Sequence, residues 1–165
     1  MARVIIQTDR ESVVLKELVL KDAAAYFALL NEDRGHLSQF GDRTSKKYPD
    51  EEAVLWSILN QTSADKLRFG IWDHDTFVGT VGLTHISAHT CEIGGWTGKR
   101  FCRQGYALVS RSAVVQYARS TLGYKDFCAR THPDNEPSQQ MLQKVGFIHH
   151  RDGERFRHFI LSFED

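Results

Sequence analysis

The stretch "CRQGYALVSRSAVVQYA", residues 102–118, constrains the fold most, because two strand-like runs bracket it. "TCEIGGW" ends at Trp96 and "DFCAR" begins at Asp126. Between them Leu108, Val115 and Leu122 recur every seven residues, and Ala107, Val114 and Ala118 widen the stripe. That is a helical period, and Gly123 is placed to close the helix. The expected result is a β-α-β unit whose loop opens at the carboxyl end of a strand, where open α/β sheets bind ligands. A helix N-terminus offers unpaired N–H groups and a partial positive charge, which together favour a phosphate. Gly105 lets the backbone approach an anion closely, and Arg103 and Gln104 add donors. A single glycine is equally compatible with a plain strand-to-helix turn carrying solvated basic residues.

Around this unit the chain reads as strand material at "RVIIQ" and Val13–Leu18, a helix in "KDAAAYFALLNED", and a long polar connection from Arg34 to Tyr48. A helix follows in "PDEEAVLWSILNQ", its acidic residues in the first turn, where the dipole favours them. "KLRFGIW" and "TFVGTVGLTHI" flank a hairpin turn at residues 73–75. "THPDNEPSQQMLQKVGF" reads as a helix with Asn135 as N-cap, Pro137 in the first turn and Gly146 as the stop. "FIHH" and "RFRHFILSF" complete the strands. The expectation is one α/β domain over residues 1–165, with helices on both faces of a mixed sheet.

Equal numbers of basic and acidic residues give zero net charge, which argues against nucleic acid as the main partner. No signal-peptide run opens the chain and no segment reaches membrane-spanning length, so no membrane partner is expected. Cys91, Cys102 and Cys128 form no metal spacing, and His149 and His150 would point to opposite faces of a strand, so no metal is expected. A reduced, cytoplasmic protein is the simplest reading.

On the second helix Ser138, Leu142 and Val145 share a face, which places a hydroxyl on the buried stripe. It serves either a local hydrogen bond in the first turn or a cleft. Alternation puts Glu92 and Trp96 on one face of their strand, with Cys91 and Ile93 on the other. A carboxylate on a helix-covered sheet is either a partly desolvated general base or a salt-bridged structural group.

"CRQGYA", followed some thirty residues later by "NEPSQQMLQKVGF", resembles the acetyl-coenzyme A binding core of the GNAT N-acetyltransferase superfamily, and most of all its RimJ/RimL-like branch. "LVLKDAAAYFALLNEDRGHLSQF" is similar to the family's opening strand and helix, and "CEIGGW" to its "E-I-G-Y-W" strand. The resemblance implies a mostly antiparallel twisted sheet of about six or seven strands with about four helices. It implies acetyl-coenzyme A as cosubstrate and a primary amine, a peptide N-terminus or a small molecule, as acceptor. Cys102, Arg103, Gln104, Gly105, Tyr106 and Ala107 match the pyrophosphate loop, with Cys102 in place of the leading Gln or Arg. Asn135 matches the pantetheine contact. Lys144 matches a basic position near the nucleotide, though a solvated last-turn lysine reads as well. Trp96 and Thr97 fall where backbone N–H groups would hold the carbonyl oxygen. Glu92 matches the base. Leu142 replaces the usual acidic tyrosine, which leaves Ser138 at the sulfur. Arg34, His36, Phe40, His85 and Glu92 are candidates for the acceptor pocket, each with a structural reading beside it. A non-catalytic acyl-coenzyme A sensor or scaffold on the same fold is the rival reading, and a monomer and a homodimer are both open.

Overall fold

The computed structural model describes residues 2–40 and 42–164. One sheet of eight strands forms its spine: β1 (Ile5–Gln7), β2 (Val13–Glu17), β3 (Lys66–Asp73), β4 (Thr76–His85), β5 (Thr90–Thr97), β6 (Asp126–Thr131), β7 (Ile148–Asp152) and β8 (Arg157–Ser162). Their order across the sheet is β1-β2-β3-β4-β5-β6-β8-β7, and every neighbouring pair is antiparallel except β5 with β6. The count exceeds the expected six or seven, because the N-terminal run folds back as a hairpin of two strands. The turn at residues 73–75 is confirmed, with His74 at φ +52°.

Helices α1 (Ala23–Glu32) and α4 (Glu51–Leu59) cover one face. The expected polar connection between them contains two single-turn helices, α2 (Arg34–Leu37) and α3 (Thr44–Lys47). Gly41 of this connection lies outside the described residues. Helices α5 (Tyr106–Ser120) and α6 (Glu136–Val145) cover the other face. The alternation expected for β5 holds: Cys91 and Ile93 join Val114, Phe127 and Phe159 under α5, whereas Trp96 joins Tyr26, Val54 and Phe77 under α1.

The buried side of α5 corrects the sequence reading. Leu108 is only half-buried and Leu122 is exposed. The buried residues are Tyr106, Ser110, Arg111, Ala113, Val114, Val115 and Ala118. Helix α5 stops at Ser120, and Gly123, at φ +82°, turns the chain so that the Tyr124 N–H reaches the Ala118 carbonyl. Val114, Val115 and Ala118 of the expected stripe are thus buried, whereas its ends at Leu108 and Leu122 are not, because Ser110 and Arg111 occupy part of the inner face.

The first residue of α5 is tied to the β3–β4 hairpin. The Tyr106 hydroxyl donates to Asp73 Oδ2 at 2.5 Å. That hydrogen bond holds the Asp73 carboxyl below its ordinary range and pushes the Tyr106 hydroxyl up. A lowered carboxyl contributes stability that is complete above the ordinary aspartate range and is lost as the pH falls through the lowered value. The urea midpoint of the native chain is therefore expected to fall more steeply below about pH 4 than that of Tyr106→Phe. Parallel acid limbs for the two proteins would show that this bond does not hold α5.

Candidate functional site

Strands β5 and β6 pair only from Thr90–Glu92 to Asp126–Cys128. Beyond that point β5 stays with β4 as far as Gly79↔Thr97, and β6 stays with β8 as far as Thr131↔Arg157. The two strands therefore part, leaving a V whose inner edges carry backbone groups without a strand partner. Gly95 is required on the β5 side of this V. Its φ is +156°, and a Cβ there would stand 2.2 Å from the Thr80 carbonyl oxygen.

The chain leaves β5 through a 3-10 turn at Lys99–Phe101 and enters α5 through Arg103 at φ +63° and Gly105 at φ +86°. Gly105 is the N-cap, and no side chain caps the helix. The N–H groups of the first turn thus have no acceptor in their own helix. A Cβ on Gly105 would meet nothing within 4 Å, so the space over the loop is open. Arg103 is exposed at its rim, and Ala107 is half-buried behind it. The Gln104 side chain turns back to its own loop, with Nε2 donating to the Arg100 carbonyl at 2.8 Å.

A residue that sequence reasoning missed fixes this loop. Arg10 Nη1 donates to the Gln104 carbonyl at 2.7 Å, its guanidinium carbon stands 4.7 Å over the Tyr106 ring, and Nη2 lies 3.7 Å from Asp73. Arg10 sits between β1 and β2, distant in sequence and within no motif. Tyr106 itself serves as an anchor, since its side chain is buried and its hydroxyl is engaged.

At the other lip of the V, Asn135 caps α6, its Oδ1 accepting the Ser138 N–H at 3.3 Å. The Ser138 side chain is half-buried and its hydroxyl has no partner among the described residues. Gln139 clamps the approach to α6, with Nε2 donating to the carbonyls of His132 and Pro133. Thr131, also missed, ends β6 as a 4% exposed residue whose Oγ1 makes no hydrogen bond among the described residues. A buried hydroxyl without a partner is costly, and here it borders the V. Lys144 is exposed at the far end of α6, nine residues beyond Asn135 and about 13 Å along the axis. The fold does not bring it to the loop.

Glu92 is the last β5 residue paired with β6. Its carboxylate is 25% exposed and Oε2 lies 2.8 Å from Arg130 Nε. Trp96 is buried against Tyr26, rings edge to face at 5.5 Å, and forms a wall. Thr97 is half-buried, and its carbonyl lies 3.9 Å from Cys102 Sγ.

The acceptor candidates separate. Arg34 is structural: its guanidinium donates to Asn31, to the carbonyls of Ser45, Tyr48 and Pro49, and to the Ser45 hydroxyl, bracing the connection after α2. Phe40 reaches across to His132 at the end of β6, ring centroids 5.9 Å apart. His36 Nε2 lies 3.5 Å from Cys102 Sγ, a contact that sequence separation concealed. Burial, then the Asp33 carboxylate, push the Cys102 thiol up, which disfavours a thiolate there. A cavity of about 390 Å³ opens beside them, lined by Glu32, Asp33, Gly35, His36, Gln39 and Lys99. His85 is held away from this group. It pairs in register with Cys91 at the closed end of the V, and its Nδ1 lies 2.7 Å from the Tyr124 hydroxyl.

Comparisons with known proteins agree with this geometry. The uncharacterized N-acetyltransferase YjdG of Bacillus subtilis (strain 168) is 27% identical over 169 residues, covering 95% of this chain and 97% of that protein. The ribosomal-protein-S5-alanine acetyltransferase of Vibrio fischeri superposes with a TM-score of 0.86 at 15% identity, covering 100% of this chain and 98% of that one. RimL, a ribosomal L7/L12 α-N-protein acetyltransferase solved with coenzyme A, superposes at 0.85 with 16% identity over 96% and 98% of the two chains. Residues 12–148 match the family described as the acetyltransferase (GNAT) domain, and the chain belongs to that family of acetyltransferases.

Proposed function

We propose that this chain moves the acetyl group of acetyl-coenzyme A directly to a primary amine. The observation that carries this reading is the parting of β5 and β6 beside an uncapped α5 N-terminus. The residues present fit the cosubstrate. Open space above Gly105 admits a pyrophosphate to the first-turn N–H groups. The bare edges of β5 and β6 suit the amides of a pantetheine arm, with the Asn135 side chain and the Thr131 hydroxyl at its flank.

Acetyl-coenzyme A is consumed as a substrate and supplies an activated acyl carbon. A C–N bond forms as the C–S bond breaks. The amine gives up a proton and the departing thiolate takes one. Backbone N–H groups at Trp96 and Thr97 would hold the carbonyl oxygen as charge develops there. Glu92, fixed by Arg130, would accept the amine proton through water. The unpartnered Ser138 hydroxyl would donate to the sulfur. His36 and Phe40 would border the acceptor across the α2 side of the V.

A free-thiol assay with acetyl-coenzyme A, small amines and N-terminal peptides tests the reading. Tight coenzyme binding without release to any acceptor would favour a sensor instead. Glu92→Gln should lower kcat/KM about 100-fold and remove the acidic limb of its pH profile. An unchanged profile would exclude Glu92 as the base. Ser138→Ala should lower kcat with little effect on coenzyme affinity, and an unchanged kcat would reduce Ser138 to a helix residue. Gly105→Ala forces a side chain into left-handed backbone, a strain of about 1–2 kcal/mol, and should weaken coenzyme binding about tenfold.

A further inference from the structure

Arg111 has no role in the chemistry described so far. It lies in the second turn of α5, on the inner face, and is 6% exposed. No carboxylate pairs with it among the described residues, and burial alone pulls its pKa to about 10. Nη1 reaches Ser110 Oγ at 3.3 Å. Nε and Nη2 have no hydrogen-bond partner among the described residues, yet neither is among the completely sealed polar atoms. That edge of the guanidinium is therefore not fully sealed. It lies against Gly95, where a Cβ would stand 3.0 Å from Nη2.

An arginine stays charged, and a buried charge without an opposite partner is unfavourable. An apolar side chain would complete the stripe of Tyr106, Val114, Val115 and Ala118 at lower cost. A buried cation kept beside a cleft is a mark of a functional site. Its level identifies the ligand group it faces. Arg111 begins six residues beyond Gly105, about 9 Å down the helix from the anion site. The guanidinium meets β5 at Gly95, next to Trp96, where the thioester oxygen would be held. It thus stands level with the acyl end of the cleft and away from the pyrophosphate loop. An acetyl group brings no charge there. A carboxylate on the acyl chain would, and the guanidinium fork matches it in geometry.

We propose that Arg111 recognises a carboxylate on the acyl group, so that the chain accepts thioesters of short dicarboxylic acids, of the malonyl or succinyl class, in addition to acetyl. This rests on the coenzyme A reading above. Transfer uses the same bonds: C–S breaks, C–N forms, the amine proton leaves and the thiolate is protonated. The distal carboxylate stays ionised on Arg111 and forms no bond.

Isothermal titration of the full chain with free coenzyme A and with its acetyl, malonyl and succinyl thioesters tests this. In the native chain the malonyl or succinyl thioester should bind about tenfold more tightly than acetyl-coenzyme A. In Arg111→Met that ratio should fall to about one, and Arg111→Lys should keep part of it. Equal affinities in the native chain overturn the proposal. So does an Arg111→Met protein that weakens free coenzyme A as much as every thioester, since the guanidinium then serves the coenzyme. Should that variant not fold, the native ratio decides alone. Failure of every coenzyme A species to bind overturns the coenzyme reading too, whereas binding without acyl discrimination overturns only the inference.

Discussion

The parting of β5 and β6 after Glu92 and Cys128 is the constraint on which the ligand end depends. Each strand keeps one bonded edge, β5 to β4 and β6 to β8, and bares the other. Backbone groups away from water need partners, so the V is an unfinished piece of sheet. Several polar groups without a partner among the described residues stand near it: the first-turn N–H groups of α5, the buried Thr131 hydroxyl, the Ser138 hydroxyl and Nη2 of Arg111. A protein interior leaves few such groups unsatisfied.

The loop at the mouth of the V is held from two directions. Arg10, Tyr106 and Asp73 tie it to the hairpins β1–β2 and β3–β4. On the opposite flank Asp33 Oδ2 accepts the Lys99 N–H at 2.7 Å, and Arg100 pairs with Glu32 at 3.3 Å. The exposed ion pair adds little stability. The contacts to backbone matter more, because they set the direction of the N–H groups before any ligand arrives. Preorganised donors of this kind require no rearrangement on binding. The two positive φ angles at Arg103 and Gly105 persist because this bracing specifies them.

Much of this architecture was legible in the sequence because its signals are local. Gly105, Gly123 and Gly146 mark helix limits, and alternation assigned the faces of β5. The Asn135 cap was readable from the residue type before Pro137. What escaped was long-range. Arg10 reaches its loop across 94 residues, and His36 meets Cys102 across 66. No periodicity encodes such contacts. Arg34 offered a plausible binding side chain whose donors are in fact taken up by its own connection. The ends of the inner stripe of α5, Leu108 and Leu122, were misjudged for a related reason. Apolar spacing is a sound guide only where the buried stripe is apolar, and here Ser110 and Arg111 interrupt it.

The interruption gains meaning from the pleat of β5. Glu92, Gly94 and Trp96 face α1, whereas Cys91, Ile93 and Gly95 face α5. Under the proposed function one strand thereby separates two kinds of chemistry. Its α1 face carries the carboxylate that would handle the amine proton, and against its other face, at Gly95, stands Arg111 of α5, the cation that would greet the acyl group. A shift of register by one residue would turn Glu92 to the α5 face, toward Arg111. The pairing with β4, continuous from His85↔Cys91 to Gly79↔Thr97, prevents that shift. Glu92 and Arg111 therefore form no salt bridge among the described residues, although both stand beside the same stretch of β5. Kept apart by the sheet, each remains available to a different part of the reacting pair.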